Sequence, residues 1–473
     1  MSKKELLELL KKSLQDALDS IQGRDKEELN EEKRTKLKDV IEEVFIQALL
    51  DKGKPKEILY KVLKDKDKSK DEFLRLFSPW HKKEDEDSSL IKEFVNSINN
   101  PDSNNDFSWL DILEKDEQWK KPWEKSNQKP QIKEEVTDKN KHVNMRYQIP
   151  THFHGDIDNA VIFHCMENPR GYLGEYEDSD IDKGLESIDL VEYFGKTYKL
   201  LNEDSSSKKS VEKIQSILKD YSRDDMPDTK DIIKERYKLD KIEDEEITNI
   251  IYSDQSNLSS ELDSLFAEEE EFFKEEYILK KNSNSKKPVL SEKYYYIAQY
   301  YAQLLGIDGK NMRELNDEPG AENTEERKKA RKIAEKICNL EIYPFSCKDP
   351  KLGNNDIGEK ILLNSDLSRL GAYIVLRRIY KYLVNENPQK PLFVFRKYDR
   401  AWEKLFNKIF EEVGVKDNFL QDLESHFFYC QTSQQGGGIT SGNVISVRDF
   451  KALELLKELA FRDIFDLITE KED

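Results

Sequence analysis

No stretch of the chain approaches the run of about 18 apolar residues that a membrane-spanning helix needs. Met1 to Lys12 also mixes charges where a secretory signal would place a basic region ahead of an apolar run. A spanning helix and a signal peptide are excluded on this pattern, and a cytoplasmic protein is the expectation. Cysteine is scarce, and Cys165, Cys338, Cys347 and Cys430 form no C-x-x-C pair, which argues against a disulfide framework and a zinc ribbon. Apolar residues are few as well, 36% of the 473 residues against 37% charged. Even with glycine added, they fall short of the roughly 45–50% usual for soluble domains, so parts of the chain must be solvated helix or loop. An excess of positive charge is also missing. The 78 Lys and Arg against 97 Asp and Glu leave a net charge of -19, which counts against a partner gripped through its phosphates.

The position of each charge qualifies that average. Residues 151–290 carry -15 of the -19, concentrated in Glu175 to Asp189 and in Glu243 to Glu276; runs of this kind read first as solvated helical faces. Farther on, Arg377, Arg378, Lys381, Lys390, Arg396, Lys397 and Arg400 place seven cations within 24 residues. This basic region reads either as a solvated face or as a footprint for nucleic acid.

Residues 1–142 form a predicted helical accessory region with a Pro- and Trp-containing linker. KLKDVIEEVFIQALLDKG repeats apolar residues at helical spacing and stops at Gly53 and Pro55. From residue 143 the texture is that of an α/β domain. Four apolar runs read as buried strands: Ala160 to Met166, Ile337 to Ile342, Pro391 to Phe395, and Phe427 to Cys430. Helices are predicted between them, including a Tyr-rich one over Ser291 to Leu305, others over Glu325 to Glu335 and Asp366 to Leu383, and a last one from about Val447. The acidic stretch 203–290 reads as a helical insertion. Strands alternating with helices predict a four-stranded, mostly parallel sheet covered on both faces, with ligands beyond the carboxyl ends of the strands.

At those ends stand Glu167-Asn168-Pro169-Arg170-Gly171, then Asn339 with Tyr343 and Phe345, then Arg396 with Trp402, then Gln431 to Gly438. No G-x-S-x-G elbow, phosphate loop or G-x-G-x-x-G follows a strand, which removes most support for a hydrolase triad or a nucleoside triphosphatase. Ser425 to Val447 contains no Asp, Glu, Lys or Arg. Its glycines, Gly437 among them, allow close backbone approach, and Ser433, Gln434 and Thr440 can donate to phosphate oxygens. A flexible turn is the plainer alternative. His152-x-His154-x-Asp156-x-Asp158 would align four potential metal ligands on one face of an extended chain. Solvated turn residues remain the preferred reading there, and no metal or other cofactor is expected.

The order of these strand ends resembles the uracil-DNA glycosylase superfamily, in particular its mismatch and thymine glycosylase branch. VIFHCMENPRG at 161–171 is similar to the Asn-Pro-Gly-type motif ending that family's first strand, and Cys338-Asn339-Leu340 stands where the family places an Asn that reads the extruded base. Gln431 to Asn443 corresponds to the loop that enters the duplex. The likeness covers about 150–202 and 290–473. It departs from the family where Arg170 interrupts Asn-Pro-Gly and where the final loop lacks His-Pro-Ser or Asn-Pro-Ser. The resemblance implies a DNA glycosylase that flips a base and excises it, with Asn168 orienting water and Glu167 as general base. Asn339, Tyr343, Phe345 and Tyr172 would bind the base, and Arg170, Arg396, Ser433, Gln434, Gly437 and Thr440 the DNA. Similar glycosylases act in bacterial antiviral defence on sugar-bearing phage bases, for which Asp178, Asp180 or Glu175 would accept hydrogen bonds from the sugar. The competing reading is a module on the same fold that binds modified DNA or a protein without cleaving.

Overall fold

The computed structural model describes residues 29–64, 69–81, 90–99, 149–169, 286–307, 315, 324–344, 418–432 and 437–449, together with most of 230–279, 362–415 and 460–468. Its centre is one mixed sheet of seven strands: β1 Phe153–His154, β2 Ile162–Met166, β3 Tyr252–Ser253, β4 Ile337–Glu341, β5 Leu392–Phe395, β6 Phe428–Gln431 and β7 Val444–Ser446. The order across it is β3-β1-β4-β2-β5-β6-β7. The middle four, β4-β2-β5-β6, run parallel, while β1 meets β4 and β7 meets β6 antiparallel. The helices are α1 Glu31–Asp51, α2 Leu59–Leu63, α3 Ser69–Phe77, α4 Leu90–Asn99, α5 Asp244–Ile251 and α6 Asn257–Phe266, then α7 Glu270–Lys274, α8 Leu290–Lys293, α9 Glu325–Glu335, α10 Asp366–Leu383, α11 Glu403–Glu412 and α12 Asn418–Phe427.

The four apolar runs are the four parallel strands; β2, β4 and β5 are buried on both faces, which is why they read as continuous rather than alternating, while β6 buries only alternate residues fully. Period-2 alternation splits them between two cores. Phe163, Cys165, Cys338, Leu340, Phe393, Phe395, Phe428 and Cys430 belong to the first, with α1 to α5 and α10 to α12. Ile162, Met166, Ile337, Leu392 and Val394 belong to the second, with α6, α9 and the Tyr-rich segment. The architecture is thus α/β with helices on both faces, as expected, but with seven strands instead of four. β1, β3 and β7 have only two or three residues each, too few for a periodic signal. β3 also corrects the reading of 203–290 as purely helical, since this acidic stretch supplies an edge strand paired parallel with β1. At the other end, β7 and a single turn over Val447–Asp449 occupy the predicted start of the last helix.

The described residues before 142 share the core of the sheet. Apolar side chains of α1, α3 and α4 join the first core, wrapping α10, which is buried on nearly every side. Asn30 caps α1 by accepting from the Lys33 amide at 2.9 Å, and Gly53, at a φ of +66°, ends it. Arg34 donates to the carbonyls of Tyr382 and Leu383 at 3.0 and 3.1 Å, satisfying acceptors left open at the end of α10. The Trp80 indole donates to Nδ1 of His152 at 2.8 Å. Gly155 turns the chain out of β1 at a φ of +126°, where a Cβ would lie 2.5 Å from the Ile337 carbonyl oxygen.

The buried character of α10 removes three of the seven cations from the basic footprint. Arg377, Arg378 and Lys381 are in the core, at the amino-terminal edge of the sheet, away from the strand ends. Arg377 and Lys381 both pair with Asp158, and Arg378 donates to the carbonyls of Ala160 and Gln389 at 3.1 and 2.7 Å. The Asp158→Asn substitution leaves two buried cations without their carboxylate. It is expected to cost about 3–5 kcal/mol, read as a lowered urea midpoint at unchanged slope; an unshifted midpoint would contradict the assignment.

Candidate functional site at the strand ends

The chain leaves β2 for β4 on one side and then crosses to β5 on the other, so the connections diverge between β2 and β5. Such a switch point opens a crevice at the carboxyl ends of the strands. Here β2 runs into Glu167-Asn168 and β5 into Arg396-Lys397. The Lys397 ammonium pairs with Glu167 Oε1 at 2.5 Å, the carboxylate side chain being 7% exposed. Lys397 has a φ of +46°, a conformation costly for a side chain with a Cβ. The Arg396 amide donates to the Cys165 carbonyl at 2.8 Å, and its guanidinium donates to the Tyr300 hydroxyl at 3.2 Å.

The second face of the sheet changes character along its strands. Near the amino ends it presents Ile162, Ile337 and Leu392 to the core; toward the carboxyl ends it presents polar groups. His154, Asn339 and His164 stand in register across β1, β4 and β2, with Glu341 two residues beyond Asn339. All four are buried. The Tyr-rich segment covers them, as a π-helical turn over Ile297–Tyr301 rather than the single long helix predicted. Glu261 fixes the start of that turn by accepting the amides of Tyr296 and Ile297 at 2.9 and 2.8 Å. Burial pushes the Glu261 carboxyl up to about 7, against the pull of these amides.

Beneath the turn a hydrogen-bonded chain runs across the strands. The Asn339 amide lies 2.5 Å from the Tyr301 hydroxyl, which is 3.0 Å from His164 Nδ1. His164 Nε2 is 3.1 Å from Gln431 Nε2, which also donates to the Gly437 carbonyl at 2.5 Å. The Gly437 carbonyl fixes the orientation of the Gln431 amide, so His164 accepts at Nε2 and carries its hydrogen on Nδ1. Burial holds the His164 pKa down to about 3, so the ring is neutral. Gly437 packs on Arg396 so closely that a Cβ would lie 3.0 Å from Nε. Ile439 donates its amide to the Tyr300 carbonyl at 2.9 Å.

Glu341 is the unusual group. It is 2% exposed, and its Oε2 has no hydrogen-bond partner among the described residues. Burial drives its pKa well above the usual carboxylate range; Arg396 opposes the shift, and the Glu167 charge adds to it. Asn339 Oδ1 likewise has no partner among the described residues. The strand ends thus bring together a buried carboxyl whose pKa is raised, a second carboxylate held by a lysine, a guanidinium and an amide carbonyl.

Of the residues expected here, Glu167, Asn168, Asn339, Arg396 and Gly437 gather at these ends. Tyr343 follows β4 but is fully buried in the first core, as is Trp402, so neither offers a stacking surface. Thr440 lies in the loop before β7, its carbonyl accepting the Asn443 amide at 3.0 Å. Arg170, Tyr172, Glu175, Asp178, Asp180, Phe345, Ser433 and Gln434 lie outside the described residues. His164, Glu341, Tyr300 and Tyr301 were not expected, and Lys397 only as one cation of the basic region. The spacing of Asn339 and Glu341, two polar residues at i and i+2 of a buried strand, was the signal that could have found the polar face. No three His, Cys, Asp or Glu side chains among the described residues are grouped to hold a metal. Asp156 closes a turn by accepting the Asp158 amide at 2.9 Å, and Asp158 faces Arg377. Cys165, Cys338 and Cys430 are buried thiols.

No family model matches the chain, and no match was found among curated proteins or solved structures.

Glu341 sets a pH dependence of stability. Unfolded, it ionises near 4.5, and folded, only at higher pH. Its contribution is therefore complete below about 4.5 and is lost as pH rises toward the folded value. The Glu341→Gln variant should gain stability relative to wild type as pH is raised from 4.5 to 8, measured by urea unfolding. Parallel profiles would show that Glu341 is ionised in the fold.

Proposed function

We propose that the strand-end cluster hydrolyses an N-glycosidic bond of a nucleotide turned out of DNA, a DNA glycosylase activity. The observation that carries this reading is the contrast between its two carboxyls, Glu341 buried with an oxygen that no described residue answers and Glu167 paired with Lys397. Groups in such unlike environments suit the two halves of glycosidic cleavage, proton donation to the leaving group and activation of water. Glu341 donates its proton to the departing base, and Arg396 stabilises negative charge developing there. Asn168 and Glu167 hold the water that adds its oxygen to the sugar carbon and passes its proton to the carboxylate. Asn339 Oδ1 accepts a hydrogen bond from the base edge. The resemblance in the order of Asn168, Asn339, Arg396 and the glycine loop supports the same reading. Its finer form is a defence enzyme removing hypermodified, sugar-bearing phage bases.

A specific observation favours a second reading. Of the cations described at the strand ends, Lys397 is paired with Glu167 and Arg396 with Tyr300, so neither is free to follow a phosphate backbone; the same chemistry on a free nucleoside needs no such contact. Oligonucleotides carrying uracil, hydroxymethylated or glucosylated cytosine, and the free nucleosides, distinguish the two. Base release with alkali-labile sites is expected from DNA, reduced about a hundredfold or more by Glu341→Gln and by Asn168→Ala with DNA binding retained. Release from nucleosides alone would favour the second reading. Equal DNA binding by all three proteins without release would leave a recognition module, and no release or binding would refute both.

A further inference from the structure

Two strands away from the switch point, at the β1–β3 edge, a separate cavity of about 560 Å³ opens beside the Tyr-rich cover, within the range of small-molecule sites. Its wall includes His154 of β1, Ser253 of β3, Gln255, Asn257 and Ser260 of the first turn of α6, and Tyr296. No Asp, Glu, Lys or Arg is among its lining residues, so it offers nothing to balance an ionic ligand. Two of its polar atoms are buried without a partner among the described residues, Nδ1 of His154 and Nδ2 of Asn257. Buried polar atoms are nearly always satisfied, and exceptions at a cavity wall call for a ligand or water.

The two atoms are complementary. His154 is 8% exposed, and burial holds its pKa down to about 4 against the opposing influence of backbone groups of Asn249 and Ile250 that hydrogen-bond the ring. With its hydrogen engaged there, the neutral ring leaves Nδ1 as a bare acceptor, while Asn257 Nδ2 is a donor. A hydroxyl group suits either, donating to His154 Nδ1 or accepting from Asn257 Nδ2, and a ligand carrying several hydroxyls can answer both. The hydroxyls of Ser253 and Ser260 and the amide of Gln255 multiply such partners, and the Tyr296 ring offers a face for C–H groups. A flat base would need two apolar walls, whereas this lining is mostly amide and hydroxyl.

We infer that this cavity binds an uncharged, hydroxyl-rich ligand of the sugar class, through His154 and Asn257. The inference is independent of base excision at the strand ends. It is tested on the full chain by saturation-transfer NMR and calorimetry with glucose, N-acetylglucosamine, fructose, maltose and sucrose, with adenine as the flat-base arm. At least one saccharide should bind, the Asn257→Ala variant should bind it about tenfold more weakly, the loss of one hydrogen bond, and Ser260→Tyr, at the exposed mouth, should abolish binding. Melting temperatures of both variants verify the fold, and either variant alone carries the test. Absence of binding by every saccharide, which would mean a cavity filled with water only, would overturn the inference, as would binding of adenine alone or saccharide affinity unchanged in both variants.

Discussion

A sheet covered on both faces denies water to every side chain that points from it, so any polar group placed there must find a partner within the protein or remain strained by its absence. The first face meets this constraint with aromatic, aliphatic and thiol groups. The second does so chiefly near the amino ends of its strands, where Ile162, Ile337 and Leu392 pack, with Met166 and Val394 farther along. Beyond them His164 and Asn339 are answered by Tyr301 and Gln431. Glu341 and Asn339 each retain an atom that no described residue answers. The sequence change from apolar to polar along these strands thus creates the site at their carboxyl ends.

The same constraint explains the irregular cover. A regular helix over Ser291 to Leu305 would be capped by its own sequence, but here Glu261, 35 residues earlier than Tyr296, takes the amides at the start of the π-helical turn. That turn presents Tyr300 to Arg396 and Tyr301 to His164 and Asn339. The loop after β6 closes the arrangement from the other side, with Gly437 against Arg396. A side chain at 437 would press on the Arg396 guanidinium, which would have to shift to admit it.

Much of the centre was legible in the sequence. The four parallel strands announced themselves as apolar runs, and α9 and α10 appear with the bounds their periodicity gave. The short edge strands were not legible, because pairing rather than local pattern defines two residues as a strand. Nor could a window of cations show which ones are exposed. Arg377 meets Asp158 across 219 positions of sequence, and only the fold reveals that this charge belongs to the core. At the site, Glu167, Asn168 and Asn339 could be named from the order of the motifs, whereas Glu341, the last residue of β4, and His164, inside β2, become chemical groups only when a neighbouring face buries them.

Everything claimed for the strand ends turns on the protonation of Glu341. Infrared difference spectroscopy of wild type against Glu341→Gln at neutral pH reads it directly. The account predicts a protonated carboxylic-acid carbonyl band in wild type that the variant lacks; a difference spectrum containing only carboxylate bands would contradict it.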